Sequence, residues 1–332
     1  MNGTTTAQLA EKTAKAVTGS VEEWTGFLQS AARLYKYSYP EQLLIYAQRP
    51  DATACASYEI WNQTMRRYVR RGARGIALPD GAGAVRYVFD VADTGARKSS
   101  REVKTWALDE NNREAVAHAL ETQYGSAAKL GIAGQLEEIA MQQSMDYWQW
   151  HQDELRGIVD GSFLEGYDEL NLEIAFRNTA AASVKYMLLS RCNLAREYQI
   201  EPEELAGVLE WNTSAASGAL GSAISELSEG VLRQIERTIR QYERSQNHDE
   251  RTDVYEERRV LDSRPDSSRT VGDTEQIRTD AGMVSEGASD DHLQQPAPER
   301  KIDRAPDGNR SGGGESDGGD RAEAGEAGGR DG

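Results

Sequence analysis

Apolar positions recur at helical spacing along most of the first 243 residues, interrupted by a single stretch with strand spacing. Ala7 to Val17 carries a weak apolar stripe and predicts a short, frayed helix. Ser20-Val-Glu-Glu23 reads as a capping box. Behind it Trp24, Leu28, Ala31 and Tyr35 share one face. A second box, Ser38-Tyr-Pro-Glu41, places Pro where a first turn tolerates it and opens a helix carrying Leu43, Leu44, Tyr46 and Ala47, ending before Pro50. A third short helix is predicted over Ser57 to Met65, with Ile60, Trp61 and Met65 on one side.

After Gly72 and Gly75 the period shortens to two. Gly75 to Leu78 and Val85 to Phe89 predict strands joined through Pro79 to Gly83. Val85, Tyr87 and Phe89 then point one way, Arg86 and Asp90 the other. The pair reads as a hairpin packed on helices, with a linker at about 92–100. Helical periodicity resumes near 110–124, 129–143, 144–159, 167–197, 202–210 and 222–243. In the last segment Glu236 and Arg240 pair at i,i+4. The expected fold class is α+β, mostly helical, with a small β-hairpin or sheet in an N-terminal domain (20–108). A 1–19 extension precedes it, and an all-α domain (109–243) and a disordered acidic tail (244–332) follow.

Composition separates that tail from the rest. Beyond Tyr255 no aromatic residue occurs, and Gly, Asp, Glu, Ser and Arg dominate. Such a segment lacks the apolar surface to offset a chain entropy of roughly 1–2 kcal/mol per residue. It holds 22 acidic and 13 basic side chains, about half of the formal charge of −17. The body is therefore less acidic than the total suggests, and local patches decide what it binds. Cys55 and Cys192 are far apart and form neither a disulfide framework nor a thiolate cluster. A polar N-terminus without an apolar core for a secretory signal, and no run of about 20 apolar residues, predict a cytoplasmic protein with no membrane partner.

Catalytic signatures are missing. No phosphate-cradling Gly-x-x-x-x-Gly-Lys loop and no His-Glu-x-x-His occur. Gly81-Ala-Gly83 sits in a hairpin turn, where it reads as a turn and not as a dinucleotide fingerprint. His151 and Glu154 lie three apart without further ligands, short of what zinc requires. No enzyme activity, cofactor or metal is expected.

The richest feature is Arg66-Arg67-Tyr68-Val69-Arg70-Arg71-Gly72-Ala73-Arg74-Gly75, with five arginines and two glycines that let a ligand approach the backbone. Lys36, Tyr37 and Tyr39 lie upstream; Arg86, Arg97, Lys98, Arg101 and Lys104 lie downstream. Guanidinium forks grip phosphates bidentately, and flat rings stack on unpaired bases. Arg66, Arg67, Arg70, Arg71 and Arg74 are thus expected to hold phosphates, with Tyr68 and Tyr37 or Tyr39 stacking on single-stranded DNA. The plainer alternative puts Tyr35, Tyr46, Trp61 and Tyr87 in a core and leaves the arginines as a solvated face or as a dock for the chain's own acidic tail.

Longer strings carry a resemblance. Trp24-x-x-Phe27-Leu28, Tyr35 to Pro50, Trp61-Asn62 and Arg71-Gly-Ala-Arg-Gly-Ile-Ala77 resemble the N-terminal region of very large proteins of integrative and conjugative elements of Gram-positive bacteria. Gly161 to Glu165 and Leu189 to Cys192 extend the likeness over most of 20–243. Those proteins continue into helicase-like and DNA-methyltransferase-like domains. The order helix, Trp, basic loop, hairpin is similar to the single-stranded-DNA-binding N-terminal domain of the antirestriction protein ArdC. The resemblance implies a DNA-binding accessory module of a mobile element, a conjugative transposon, serving transfer or antirestriction. Its other partners would be an element-encoded helicase or methyltransferase, or a host restriction enzyme that a DNA-mimicking or docking module engages. The metallopeptidase half of ArdC has no counterpart here.

Overall fold

Helix α1 (Gly3–Val17) opens the fold, capped by the Asn2 side chain, which accepts from Thr5 N at 2.9 Å. It is not a frayed extension: Ala14 and Val17 are buried, and the helix packs on α3 (Tyr39–Gln48) and on the last helix. The computed structural model describes residues 2–81, 83–194 and 200–262, from 247 onward as backbone only.

The capping signals act where the sequence places them. Ser20 Oγ accepts from Glu23 N at the start of α2 (Val21–Arg33), and Glu41 Oε2 accepts from Ser38 N at the start of α3. Trp24, Leu28, Ala31 and Tyr35 are all buried, as their spacing predicts. In α3, Leu43 enters one core while Leu44 and Ile45 enter another. A helix apolar on two sides has to be covered on two sides. Helices cover one side of α3 and a sheet covers the other.

That sheet has three antiparallel strands in the order β1 (Cys55–Ser57), β4 (Ala84–Asp90), β3 (Ile76–Asp80). The predicted hairpin pairs Ile76 with Val88 and Asp80 with Ala84, and β1 adds Cys55 opposite Asp90. The face turned inward is the one carrying Arg86, Val88 and Asp90. Val88 lies in the small core, Arg86 reaches Glu41 at 2.5 Å, and the buried Asp90 carboxylate accepts from the backbone N–H groups of Thr53 and Ala54 at 2.7 and 3.0 Å. Tyr87 is consequently 46% exposed, outside the core that its apolar alternation suggests.

Two elements differ from the sequence expectation between the strands. Ile60–Thr64 winds as a π-turn and not as an ordinary helix, leaving Ile60 exposed and Trp61 buried. The expected linker at 92–100 contains β5 (Thr94–Gly95), paired with β2 (Tyr68–Val69) in a two-residue antiparallel ladder.

The remainder is helical: α4 (Arg113–Tyr124), α5 (Gly131–Ile158), α6 (Glu169–Arg191), the short α7 (Pro202–Leu205) and α8 (Ser214–Asp262). The two helices expected at 129–143 and 144–159 are one, because Gln142-Gln143-Ser144-Met145 contains no breaker and Ser144 faces inward. Helix α6 stops at Arg191, where Asn193 adopts φ +60° and Leu194 N reaches back to Leu189 O at 2.8 Å. Helix α8 continues beyond 243 to Asp262, and the acidic tail from 263 lies outside the described residues.

The larger of the two cores runs through these elements. Ala14, Trp24, Phe27 and Tyr39 belong to the same buried cluster as Leu136, Phe176, Trp211 and Ile235. Trp24 Nε1 donates to Ser183 Oγ of α6 at 3.0 Å, inside the protein. The boundary expected at 108/109 therefore cuts through the larger core. Helix α6 lies at the centre, touching α2, α5 and α8. Among the described residues no helix is long and apolar enough to cross a membrane.

Candidate functional site

The arginine run hangs between the π-turn and β3, and each end is tied down. Trp61 Nε1 donates to Phe89 O of β4 at 2.8 Å, anchoring the π-turn beneath the sheet, and Arg67 N donates to Trp61 O at 2.8 Å. At the other end a Cβ on Gly75 would press on the Tyr87 and Phe89 rings, so the glycine lets the chain from Arg74 enter the sheet beside them. Between these anchors Arg66 holds φ +53° and Gly72 holds +86°. A left-handed arginine costs of order 1–3 kcal/mol and persists only where its surroundings over-determine it, a pattern common at functional sites.

Those surroundings come from the second basic run. Ser100 Oγ donates to Arg66 O at 2.6 Å, and Arg101 N donates to Met65 O at 2.9 Å. Arg70 N donates to Asp93 O at 2.9 Å, extending the β2–β5 ladder. The Tyr68 ring lies across Gly95, where any Cβ would collide with it, and the Arg97 guanidinium sits 5.5 Å from that ring's centre. Arg66–Arg74 and Arg97–Arg101, more than twenty residues apart in sequence, thus share one structural unit.

This unit is cationic and unneutralised. Among the described residues, none of Arg66, Arg67, Arg70, Arg71, Arg74, Arg97, Lys98 and Arg101 forms an ion pair. Asp93 pairs with Arg49 and Glu102 with Lys104, and Asp90 accepts from backbone N–H groups. Arg66, Arg70, Arg71 and Arg74 are exposed; Arg67 is half-buried and donates to Thr94 Oγ1 at 2.8 Å. Tyr68 is 41% exposed, with its ring against Gly95 and the Arg97 guanidinium over it. Like charges held together in a chain of net charge −17 repel one another, and a polyanion relieves that repulsion.

The other residues singled out in the sequence lie elsewhere. Lys36 pairs with Glu236 of α8 at 2.5 Å. Tyr37 is half-buried and donates to Cys55 O at 2.8 Å. Tyr39 is buried, edge-on to Phe27 at 5.7 Å, with Gly221 of α8 against its ring. Neither tyrosine is free to stack on a base, because Tyr37 is tied to the first strand and Tyr39 is covered by α2 and α8; Lys36 is exposed but already paired. Tyr35 and Trp61 are buried as the plainer reading has it, whereas Tyr87 joins Tyr68 as an exposed ring. His151 stacks on Tyr147 at 3.9 Å, and no cluster of three metal-ligating side chains exists among the described residues.

The unit as a whole defines a class of surface: cations on turns, braced by a short ladder, with flat rings beside them. In comparisons with protein-family models, with curated proteins and with solved structures, nothing matches the chain.

Proposed function

We propose that the chain is a non-enzymatic, single-stranded-DNA-binding module of a conjugative genetic element, acting in the cytoplasm in DNA transfer or antirestriction. One observation carries this reading: the cations of Arg66–Arg74 and Arg97–Arg101 are braced together without carboxylate partners beside the exposed Tyr68 and Tyr87. Arginine forks suit phosphates, and the rings suit splayed bases at about 1–3 kcal/mol per stack. The mobile-element setting is drawn from the resemblance to conjugative-element proteins and to the ArdC N-terminal domain.

The test is a salt titration of oligonucleotide binding by fluorescence anisotropy. Five arginine–phosphate contacts give a log–log slope of about −3.5 for a single strand. The triple variant Arg70→Ala/Arg71→Ala/Arg74→Ala should flatten it by about 2, and Tyr68→Ala should weaken binding at every salt concentration. Affinity that ignores ionic strength, or survives the triple variant, rejects the reading.

A second reading, docking of a protein partner such as an element-encoded helicase or methyltransferase or a host restriction enzyme, draws on a different surface. Trp150 is 83% and Phe163 70% exposed, at the end of α5 and just beyond it. Exposed apolar side chains of that size mark interaction sites when they gather in one patch. Loss of partner capture in Trp150→Ser with DNA binding intact would favour it.

A further inference from the structure

The segment that braces the arginine face continues inward. Two residues beyond Arg101, Val103 to Trp106 form one wall of an open cleft of about 200 Å³, bounded also by the loop after α2, by Thr53–Cys55, and by α6 and α8. A second cavity of about 470 Å³ adjoins it, sharing Arg33, Thr53, Thr105 and Arg191. Spaces of roughly 300–1,000 Å³ are usual for small-molecule sites.

The walls are charged in one sense. Arg33, Lys36, Lys104, Arg191 and Arg240 line the first cavity against a single carboxylate, Glu236. Glu236 is occupied by Lys36 and Arg240 together with the Tyr35 hydroxyl. Arg33 and Arg191 form no ion pair among the described residues, although the charges of Asp51 and Asp90 act on Arg33 and that of Glu236 on Arg191. Arg33 donates to the carbonyl oxygens of Ala52 and Pro50 at 3.0 and 2.9 Å. Arg191 lies 3.4 Å above the Trp106 ring and donates to Trp106 O at 3.0 Å. A guanidinium has five N–H donors, so both retain free ones. Burial pushes the pKa of each down, the electrostatic sign of a site that an anion would stabilise. The exposed Thr53 and Thr105 lie at the junction of the two cavities.

We propose that this seam binds a phosphate monoester, with the phosphate between Arg33 and Arg191 and the body of the ligand in the adjoining cavity. Its source is either a free nucleotide or the terminal phosphate of a nucleic-acid strand. The site stands apart from the arginine face and does not depend on that face binding DNA.

The Trp106 indole N–H, which donates to Tyr35 Oη at 3.1 Å, reports on the cavity. Its nitrogen-15 resonance is followed in the full chain during titration with inorganic phosphate, a deoxynucleoside 5′-monophosphate, and matched 5′-phosphoryl and 5′-hydroxyl oligonucleotides, with sodium chloride at equal ionic strength as control. The expected result is a saturable shift with phosphate and mononucleotide that chloride does not reproduce. A Trp106 shift with the 5′-phosphoryl oligonucleotide that the 5′-hydroxyl strand does not give identifies a strand end as the source, and a shift with the mononucleotide but with neither strand identifies a free nucleotide. Arg33→Gln/Arg191→Gln should weaken binding at least tenfold. Should that variant unfold, Thr105→Trp fills the junction from an exposed position without removing a charge and should do the same. The triple arginine-face variant should bind the mononucleotide as the wild type does. No saturable shift with any phosphate ligand, or undiminished binding in Thr105→Trp, overturns the proposal whatever the oligonucleotide titrations of the face give.

Discussion

Replacing Glu236 by Gln probes the junction between the sheet-bearing layer and the long helices. This carboxylate on α8 accepts from Tyr35 Oη at 2.6 Å, Lys36 Nζ at 2.5 Å and Arg240 Nε at 2.9 Å, with its side chain about 10% exposed. Burial by itself would raise its pKa; hydrogen bonds from Lys36, Tyr35 and Arg240 outweigh that and hold it at about 2, below the usual 4.5. The difference corresponds to at most about 3 kcal/mol of stability, which solvent around the half-exposed Lys36 and Arg240 screens to about 1–3 kcal/mol. The amide of Gln keeps one acceptor and removes the counter-charge of Lys36 and Arg240, which are 45% and 41% exposed and partly screened by water, a loss of about 1–3 kcal/mol. The sign follows from the direction of the shift. A carboxyl more acidic in the folded state contributes fully above the unfolded value, and that contribution fades as pH falls from about 4.5 towards 2. Urea unfolding followed by circular dichroism should therefore show Glu236→Gln about 1–3 kcal/mol less stable than wild type at pH 7, with less than about half of that gap left at pH 3. A gap that stays constant over this range, or is below about 1 kcal/mol at pH 7, refutes the network as a stabilising junction.

Three further outcomes are expected. Asp90→Asn should destabilise the protein by about 2–3 kcal/mol in the same assay, because both carboxylate oxygens accept backbone N–H groups, from Thr53 and Ala54 on one and Ala92 on the other, and an amide nitrogen cannot. Gly221→Ala should lower stability by about 1–3 kcal/mol through overpacking, since its Cβ would overlap the buried Tyr39 ring; an unchanged melting temperature would contradict the packing of α3 on α8. Burial pushes the thiols of Cys55 and Cys192 up to about 12, so a disulfide reagent at pH 8 should label neither in the folded protein and both after unfolding.

The parts of this fold visible in the sequence are those governed by local rules. Capping boxes at Ser20 and Ser38, the stripe Trp24–Leu28–Ala31–Tyr35 and the hairpin after Gly75 all act within a few residues of themselves, and each is present. Non-local partners decide the rest. The orientation of the hairpin depends on Arg86 finding Glu41 and Asp90 finding the Thr53–Ala54 backbone, which outweighs the apolar alternation of Val85, Tyr87 and Phe89. A ladder as short as Tyr68–Val69 with Thr94–Gly95 has no period to detect. The five arginines announce themselves by composition, but their expected upstream companions lie elsewhere: Tyr37 is tied to the first strand and Tyr39, the first residue of α3, is buried against α2 and α8. Glu236 is readable from sequence as an i,i+4 partner of Arg240; its bonds to Tyr35 and Lys36 span some two hundred residues.

The continuous core also governs how this chain can be divided. Severing it after residue 108 would strip Trp24, Phe27 and Leu28 of the helices that cover them, baring an apolar strip of a few hundred Å², enough to drive self-association. The arginine turns are therefore not a portable cassette. Any gene fusion that carried them to a new host protein would have to bring the whole scaffold as far as α8, and an excised N-terminal fragment would report aggregation and not affinity.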